Sequence, residues 1–124
     1  MNKLQKNPDF VYKRLCPKIS SYTTVYNAIE GCFPYIESIR SMLGFCDEIV
    51  VVDGCSIDGT YEVLENLAKE DSRIKIYQNE LSFEEPGIDG MQKALARAFC
   101  ENDFLWQMDC DEIVHEDDYE KIKI

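Results

Sequence analysis

Two aspartates one residue apart, Asp109 and Asp111, stand in the run Gln107-Met108-Asp109-Cys110-Asp111-Glu112, directly after the aromatic-rich stretch Phe104-Leu105-Trp106. Carboxylates so spaced at a strand end can turn toward one point and offer hard oxygen ligands to Mg2+ or Mn2+. A cation held there bridges an acidic protein to an acidic ligand such as a phosphate. Taken alone the motif is short, and a solvated turn is its competing reading. The second group is Asp53-Gly54-Cys55-Ser56-Ile57-Asp58-Gly59-Thr60. A glycine-bearing turn between strand and helix presents backbone N–H groups to an anion. The dinucleotide pattern G-x-G-x-x-G is absent, and Gly54-x4-Gly59 is followed by Thr60 where a Walker loop needs lysine. Asp53 closes an apolar run, so its carboxylate requires a specific donor, such as a base or a ribose hydroxyl.

The elements that must position these groups can be read from hydrophobic pattern. Glu48-Ile49-Val50-Val51-Val52-Asp53 is apolar on consecutive positions and too short for a helix, the signature of a parallel strand buried on both faces. Further strands are expected at Ser20 to Tyr26, Arg73 to Tyr77 and Phe104 to Met108. Between them lie helical patterns. Pro34 precedes Ile36, Ile39 and Leu43, with Gly44 as the stop. Thr60 is the expected N-cap for Tyr61 to Lys69, and Met91, Ala94, Leu95, Ala98 and Phe99 share the face of a third helix running into Cys100. The alternation predicts a mostly parallel, Rossmann-like α/β sheet flanked by helices. Ligands of such sheets bind beyond the carboxyl ends of the strands, where Thr24, Tyr26, Asn27, Asp53, Ser56, Asp109 and Asp111 collect. One long loop is expected, from about Gln78 to Gly90.

Composition narrows the partners. The 124 residues are 45% hydrophobic and 30% charged, which is globular, and suffice for one domain or part of one. A net charge of −11 excludes a nucleic-acid or anionic-membrane surface, since both need clustered positive charge. Residues 1–18 form a basic segment, with Lys3, Lys6, Lys13, Arg14 and Lys18 against Asp9, and the acidity gathers between Asp109 and Glu120. That start lacks the apolar core of a signal peptide, and no run approaches the roughly 20 apolar residues of a membrane span, so the expected location is cytoplasmic. The 6 cysteines show no C-x-x-C spacing and are expected to be reduced, structural thiols. Trp106 is expected in the core and His115 at the surface or a helix start.

In order, the chain presents Thr24-x-Tyr26-Asn27, then Val50-Val51-Val52-Asp53-Gly54-x-Ser56-x-Asp58-Gly59-Thr60, a helix carrying Ala96-Arg97, and an aromatic strand into Asp109-x-Asp111-Glu112. This ordered set resembles the nucleotide-sugar-binding half of family 2 glycosyltransferases, inverting enzymes of GT-A fold, over about residues 19 to 119. The resemblance implies a nucleotide-diphosphate sugar donor, a UDP-sugar foremost, and a divalent cation, Mn2+ or Mg2+. It implies that Thr24 and Tyr26 line the nucleoside pocket beside Asn27, that Asp53 contacts uracil or ribose, and that Asp111 is the direct metal ligand. Asp109 would lie nearer ribose or sugar while belonging to the metal pair, and Asp89, Lys93 and Arg97 fall in the segment that approaches base, sugar or diphosphate. The chain departs from the pattern at Gly54 and Ala28, where many relatives carry acids.

In relatives the catalytic base lies well downstream of the aspartate pair. Glu112, Glu116, Asp117 and Asp118 stand too close to that pair, so no residue here is assigned the role. The expectation is therefore an incomplete GT-A-like sheet, residues 19–124, forming the donor-binding portion of a metal-dependent, inverting glycosyltransferase. The competing expectation is a noncatalytic α/β module that binds a nucleotide or a partner. A sheet interrupted after its fourth strand is expected to expose an apolar edge.

Overall fold

Glu48–Asp53 is buried along its whole length, and the sheet is built around it. The computed structural model describes residues 18–80 and 86–123; the basic segment through Pro17 and the middle of the long loop, residues 81–85, lie outside the described residues. In chain order the elements are β1 (Ile19–Val25), α1 (Tyr35–Met42), β2 (Glu48–Asp53), α2 (Thr60–Glu70), β3 (Ile74–Gln78), α3 (Ile88–Ala98), β4 (Phe104–Gln107), a 3-10 turn (Glu116–Asp118) and α4 (Tyr119–Lys123). The four strands form one sheet in the order β3-β2-β1-β4. Every pairing is parallel, with Thr24 opposite Val52, Asp53 opposite Gln78 and Tyr22 opposite Gln107. This is the expected Rossmann-like α/β sheet.

Side chains alternate across the strands, so the apolar run of β2 serves two cores. Ile49 and Val51 pack with Ile39 and Met42 of α1 and Leu64 and Leu67 of α2. Val50 and Val52 face the opposite layer, with Tyr22 and with Ala96 of α3. Burial of each such side chain contributes about 1.5–3 kcal/mol, which is why β2 is the strand most plainly written in the sequence.

Several boundaries differ from expectation for local reasons. The N-cap of α2 is Gly59 at φ 97, a left-handed value that glycine adopts without strain. Thr60 is instead the first helical residue, and both its N–H and its hydroxyl donate to Asp58 Oδ1, at 3.0 and 2.6 Å. Asp58 thus supplies the cap assigned to Thr60. α3 begins at Ile88, after Gly87 at φ 77, and ends at Ala98 before reaching Cys100. The acidic end forms the 3-10 turn and α4 and keeps its acids, Asp109 to Glu120, exposed, as a solvated face should. Tyr119 lies 5.7 Å from the Phe45 ring, and a Cβ at Gly44 would sit 2.0 Å from the Tyr119 ring, so glycine there permits the contact. Trp106, partly buried, packs edge-on against Phe45 at 5.2 Å, against the core.

β4 is an edge strand, and Phe104 and Leu105 are 57% and 38% exposed. A groove of about 860 Å³ runs along this edge, lined by Ile19, Phe104, Leu105, Ile113 and Ile122. Its lining joins the outer strand to the segment that follows the Asp109–Glu112 turn. Among the described residues, Cys32, Cys46, Cys55, Cys100 and Cys110 are all free thiols. Burial, with Asp47 adding to it, pushes the Cys46 thiol up to about 12, and burial with Glu48 pushes Cys100 to about 11, so neither is a thiolate near neutrality. No described helix is long and apolar enough to cross a membrane.

At the amino ends of the strands Glu48, 4% exposed, ties the sheet together. Its carboxylate accepts hydrogen bonds from the Ser20 hydroxyl, the Glu101 N–H and the Lys75 ammonium. Burial alone would raise its pKa, but the Lys75, Glu101 and Ser20 donors together outweigh burial and hold it below the ordinary glutamate value. A depressed carboxylate stabilises the fold above the unfolded pKa, about 4.3, and loses that contribution as pH falls through the native value. Replacing Glu48 by Gln is therefore expected to cost about 1–2 kcal/mol near neutrality, with the gap to wild type closing below about pH 4. Urea unfolding of both proteins from pH 7 downward checks this; a gap independent of pH would contradict it.

Candidate functional site

The loops after β1 and β2 are latched to one another by side chains that reach backbone N–H groups. Asp53 has no exposed surface. Its Oδ2 accepts the Ser56 N–H at 2.9 Å and its Oδ1 accepts the Ser56 hydroxyl. Gln78 Nε2 approaches Oδ2 at 3.5 Å. Ser56 Oγ in turn accepts the Asn27 N–H at 2.8 Å, and Asn27 Oδ1 accepts the Ile57 N–H at 2.9 Å. A second latch runs from Asp58, whose Oδ2 accepts the Glu30 N–H at 2.9 Å, and from Thr60 Oγ1, which accepts the Ile29 N–H at 3.3 Å. Burial would raise the Asp58 pKa, but the Thr60 and Glu30 donors prevail and hold it below the ordinary aspartate value.

These bonds hold a strained backbone. Asn27, Cys32 and Cys55 have φ of 45, 57 and 63, and all belong to these two loops. Left-handed non-glycine residues persist where the surroundings over-determine them, and they cluster at ligand sites.

The β4 end is brought in by register. With Tyr22 opposite Gln107, the Met108 N–H donates to Tyr22 O at 3.3 Å, which sets Asp109 beside the last residues of β1. The turn that follows is closed by the Asp109 N–H to Glu112 Oε1 at 2.9 Å and the Glu112 N–H to Asp109 O at 3.0 Å. Ser38 of α1 also donates to Asp109 O at 3.3 Å. Asp109 and Asp111 are both exposed. Cys110 between them is pushed up by burial first and by Asp111 and Asp109 next, so it remains a neutral thiol. Lys93 of α3 reaches Asp109, with Nζ 3.2 Å from Oδ1.

The structure thus gathers Thr24, Tyr26, Asn27, Asp53, Asp109 and Asp111 at one edge, the carboxyl ends of β1, β2 and β4. Thr24 and Tyr26 are half-buried there. The donors to Asp53, expected to be a base or a ribose, are found within the chain, in Ser56 and Gln78. Arg97 is not brought to this edge. It sits exposed in the last turn of α3, whose following residues Cys100 and Glu101 bond to Ser21 O and to Glu48 near the amino ends of the strands. The cation that α3 delivers to Asp109 is Lys93, one turn earlier. The amide pair that seats α3, Asn79 with Gln92, escaped sequence reasoning because it joins residues with no motif. His115 caps the 3-10 turn, its Nδ1 accepting the Asp117 N–H at 3.1 Å. Among the described residues no group of three or more His, Cys, Asp or Glu side chains is placed to hold a metal.

An open parallel sheet flanked by helices, with polar residues gathered at its carboxyl edge, defines the class of Rossmann-like α/β folds. Within that class the chain matches the sequence profile described as glycosyl transferase family 2 over residues 20–123, and it belongs to that family. No functionally curated protein matches its sequence. Among solved structures it is similar to S. aureus TarS 1–349, at 24% identity and a TM-score of 0.67, covering 85% of this chain and 31% of that one. The same S. aureus protein in complex with UDP matches at 24% identity and a TM-score of 0.66, over 85% of this chain and 30% of that one. This likeness shows the fold, which is GT-A-like, and the chain spans less than a third of the length of these structures.

Proposed function

We propose that this chain binds the nucleotide-diphosphate part of a sugar donor at the carboxyl edge of the sheet, as the donor-binding portion of a metal-dependent, inverting glycosyltransferase. The observation that carries the reading is the convergence, on one latched edge, of Thr24 from β1 and Tyr26 and Asn27 just after it with Asp109 and Asp111 after β4. UDP is the favoured nucleotide, because a relative of the same fold is described in complex with it.

The residues fit a cation that arrives with the nucleotide. The side-chain oxygens on offer are those of two exposed carboxylates, hard donors that Mg2+ or Mn2+ would take together with phosphate oxygens and water. When bound, the cation supplies Lewis-acid stabilisation of the charge that develops on the leaving diphosphate. The chain's own part is positional. Asp109 and Asp111 hold the cation, Tyr26 and Thr24 receive the nucleoside, and Asp53 keeps Ser56 and Asn27 in place from beneath the surface. Asp53 is thus a positioning residue in this reading.

Calorimetric titration of the full chain with UDP, GDP and their sugars, with and without Mn2+, tests the reading. Binding of one nucleotide series that requires Mn2+ is the expected result. Binding indifferent to Mn2+, or none in either condition, would sink it.

A further inference from the structure

We infer that Lys93 occupies the cation position at Asp109 in the nucleotide-free chain, so that metal and nucleotide must enter together; this rests on the donor-site reading above. The Lys93 ammonium lies 3.2 Å from Asp109 Oδ1, so that oxygen already faces a positive charge. The lysine is not a loose surface group. Its side chain is 34% exposed, whereas Lys121 in an ordinary helix-surface pair is 80% exposed.

Both partners are held by backbone that other contacts fix. Gln92, the neighbour of Lys93, is 2% exposed. Its side chain accepts from Asn79 Nδ2 at 2.8 Å and donates to Asn79 O at 2.9 Å. Ala96, one turn on, has no exposed surface and packs on Val50, Val52 and Tyr22. Together they set the height and rotation of α3, which aims position 93 at the strand ends. On the other side Asp109 is anchored through its N–H to Glu112 and its carbonyl to Ser38.

A divalent cation at Asp109 would therefore meet the Lys93 ammonium, and the repulsion would weaken binding of the bare metal. A diphosphate changes the balance. Its oxygens would offer the ammonium a new acceptor, and Lys93 turned to the phosphate would free Asp109 for the cation. The site then takes up free Mn2+ poorly and the metal–nucleotide pair well.

The test is Mn2+ binding to the full chain in the absence of nucleotide, followed by electron paramagnetic resonance of the free ion, for wild type, Lys93→Gln and Lys93→Arg, with UDP binding in Mn2+ measured alongside. Lys93→Gln is expected to bind Mn2+ alone roughly three- to tenfold more tightly than wild type, the scale of one partly exposed charge, with the gain shrinking as salt rises. Lys93→Arg is expected to restore the weak wild-type affinity, and Lys93→Gln to bind UDP in Mn2+ less tightly than wild type. If wild type binds UDP with Mn2+ while Lys93→Gln shows no gain for Mn2+ alone, or keeps its gain when Asp109→Asn is added, the inference fails and the donor site stands. If UDP binding to wild type is absent or does not need Mn2+, the donor-site reading fails and the inference falls with it.

Discussion

Replacing Asp53 by alanine is expected to cost about 2–4 kcal/mol of stability, the range for charge-assisted hydrogen bonds removed from a buried site. The side chain has no exposed surface, and it accepts bonds from the Ser56 N–H, the Ser56 hydroxyl and Gln78. Alanine leaves the Ser56 N–H without its acceptor and lets the hydroxyl turn away from Asn27. The latch between the β1 and β2 loops then opens, and the left-handed conformation of Asn27 at φ 45 loses its support. Asparagine keeps the shape and one acceptor, so Asp53→Asn is expected to lose about half as much. Urea unfolding gives both numbers, and amide exchange at Asn27 and Ile57 reports the latch directly. An alanine variant within about 0.5 kcal/mol of wild type would show that Asp53 does not hold these loops.

The opposite separation is expected at Asp111. Its side chain is exposed, so Asp111→Asn is expected to unfold within about 0.5 kcal/mol of wild type. In the proposed site it is a direct ligand of the cation, and its loss is expected to weaken UDP binding in Mn2+ at least tenfold, which is about 1.4 kcal/mol. The two variants thus dissociate stability from binding: Asp53→Ala loses both, Asp111→Asn only binding. An Asp111→Asn chain that binds UDP and Mn2+ as wild type does would remove Asp111 from the site.

How much of this was legible in the sequence depends on the range of the forces involved. β2 was read to the residue because its apolar run needs no partner to be recognised, and the alternation of strands and helices followed from pattern alone. The helix starts were less legible. Asp58 rather than Thr60 caps α2, because a carboxylate two residues before the first helical N–H can reach it when Gly59 takes a left-handed turn. The placing of the site residues at one edge followed from topology, but their mutual bonds did not. Asn27 with Ser56 and Asn27 with Ile57 join residues about 30 apart in the chain, and no periodicity encodes such a pair. The same holds for Lys93 with Asp109, where a helix face and a strand end meet only once α3 is seated. Arg97 shows the converse error: it falls in the right segment, but one further helical turn, about 5.4 Å, carries it toward the wrong end of the sheet.

The central claim is that metal and nucleotide meet at the carboxyl ends of β1 and β4, and the most direct measurement is paramagnetic broadening of backbone amide resonances by substoichiometric Mn2+ in the UDP-saturated full chain. The predicted result is broadening centred on Asp109 to Glu112 that extends to Tyr26 and Lys93 and disappears in Asp111→Asn. Broadening centred instead on the other acidic run, Glu116 to Asp118, or unchanged by Asp111→Asn, would contradict it.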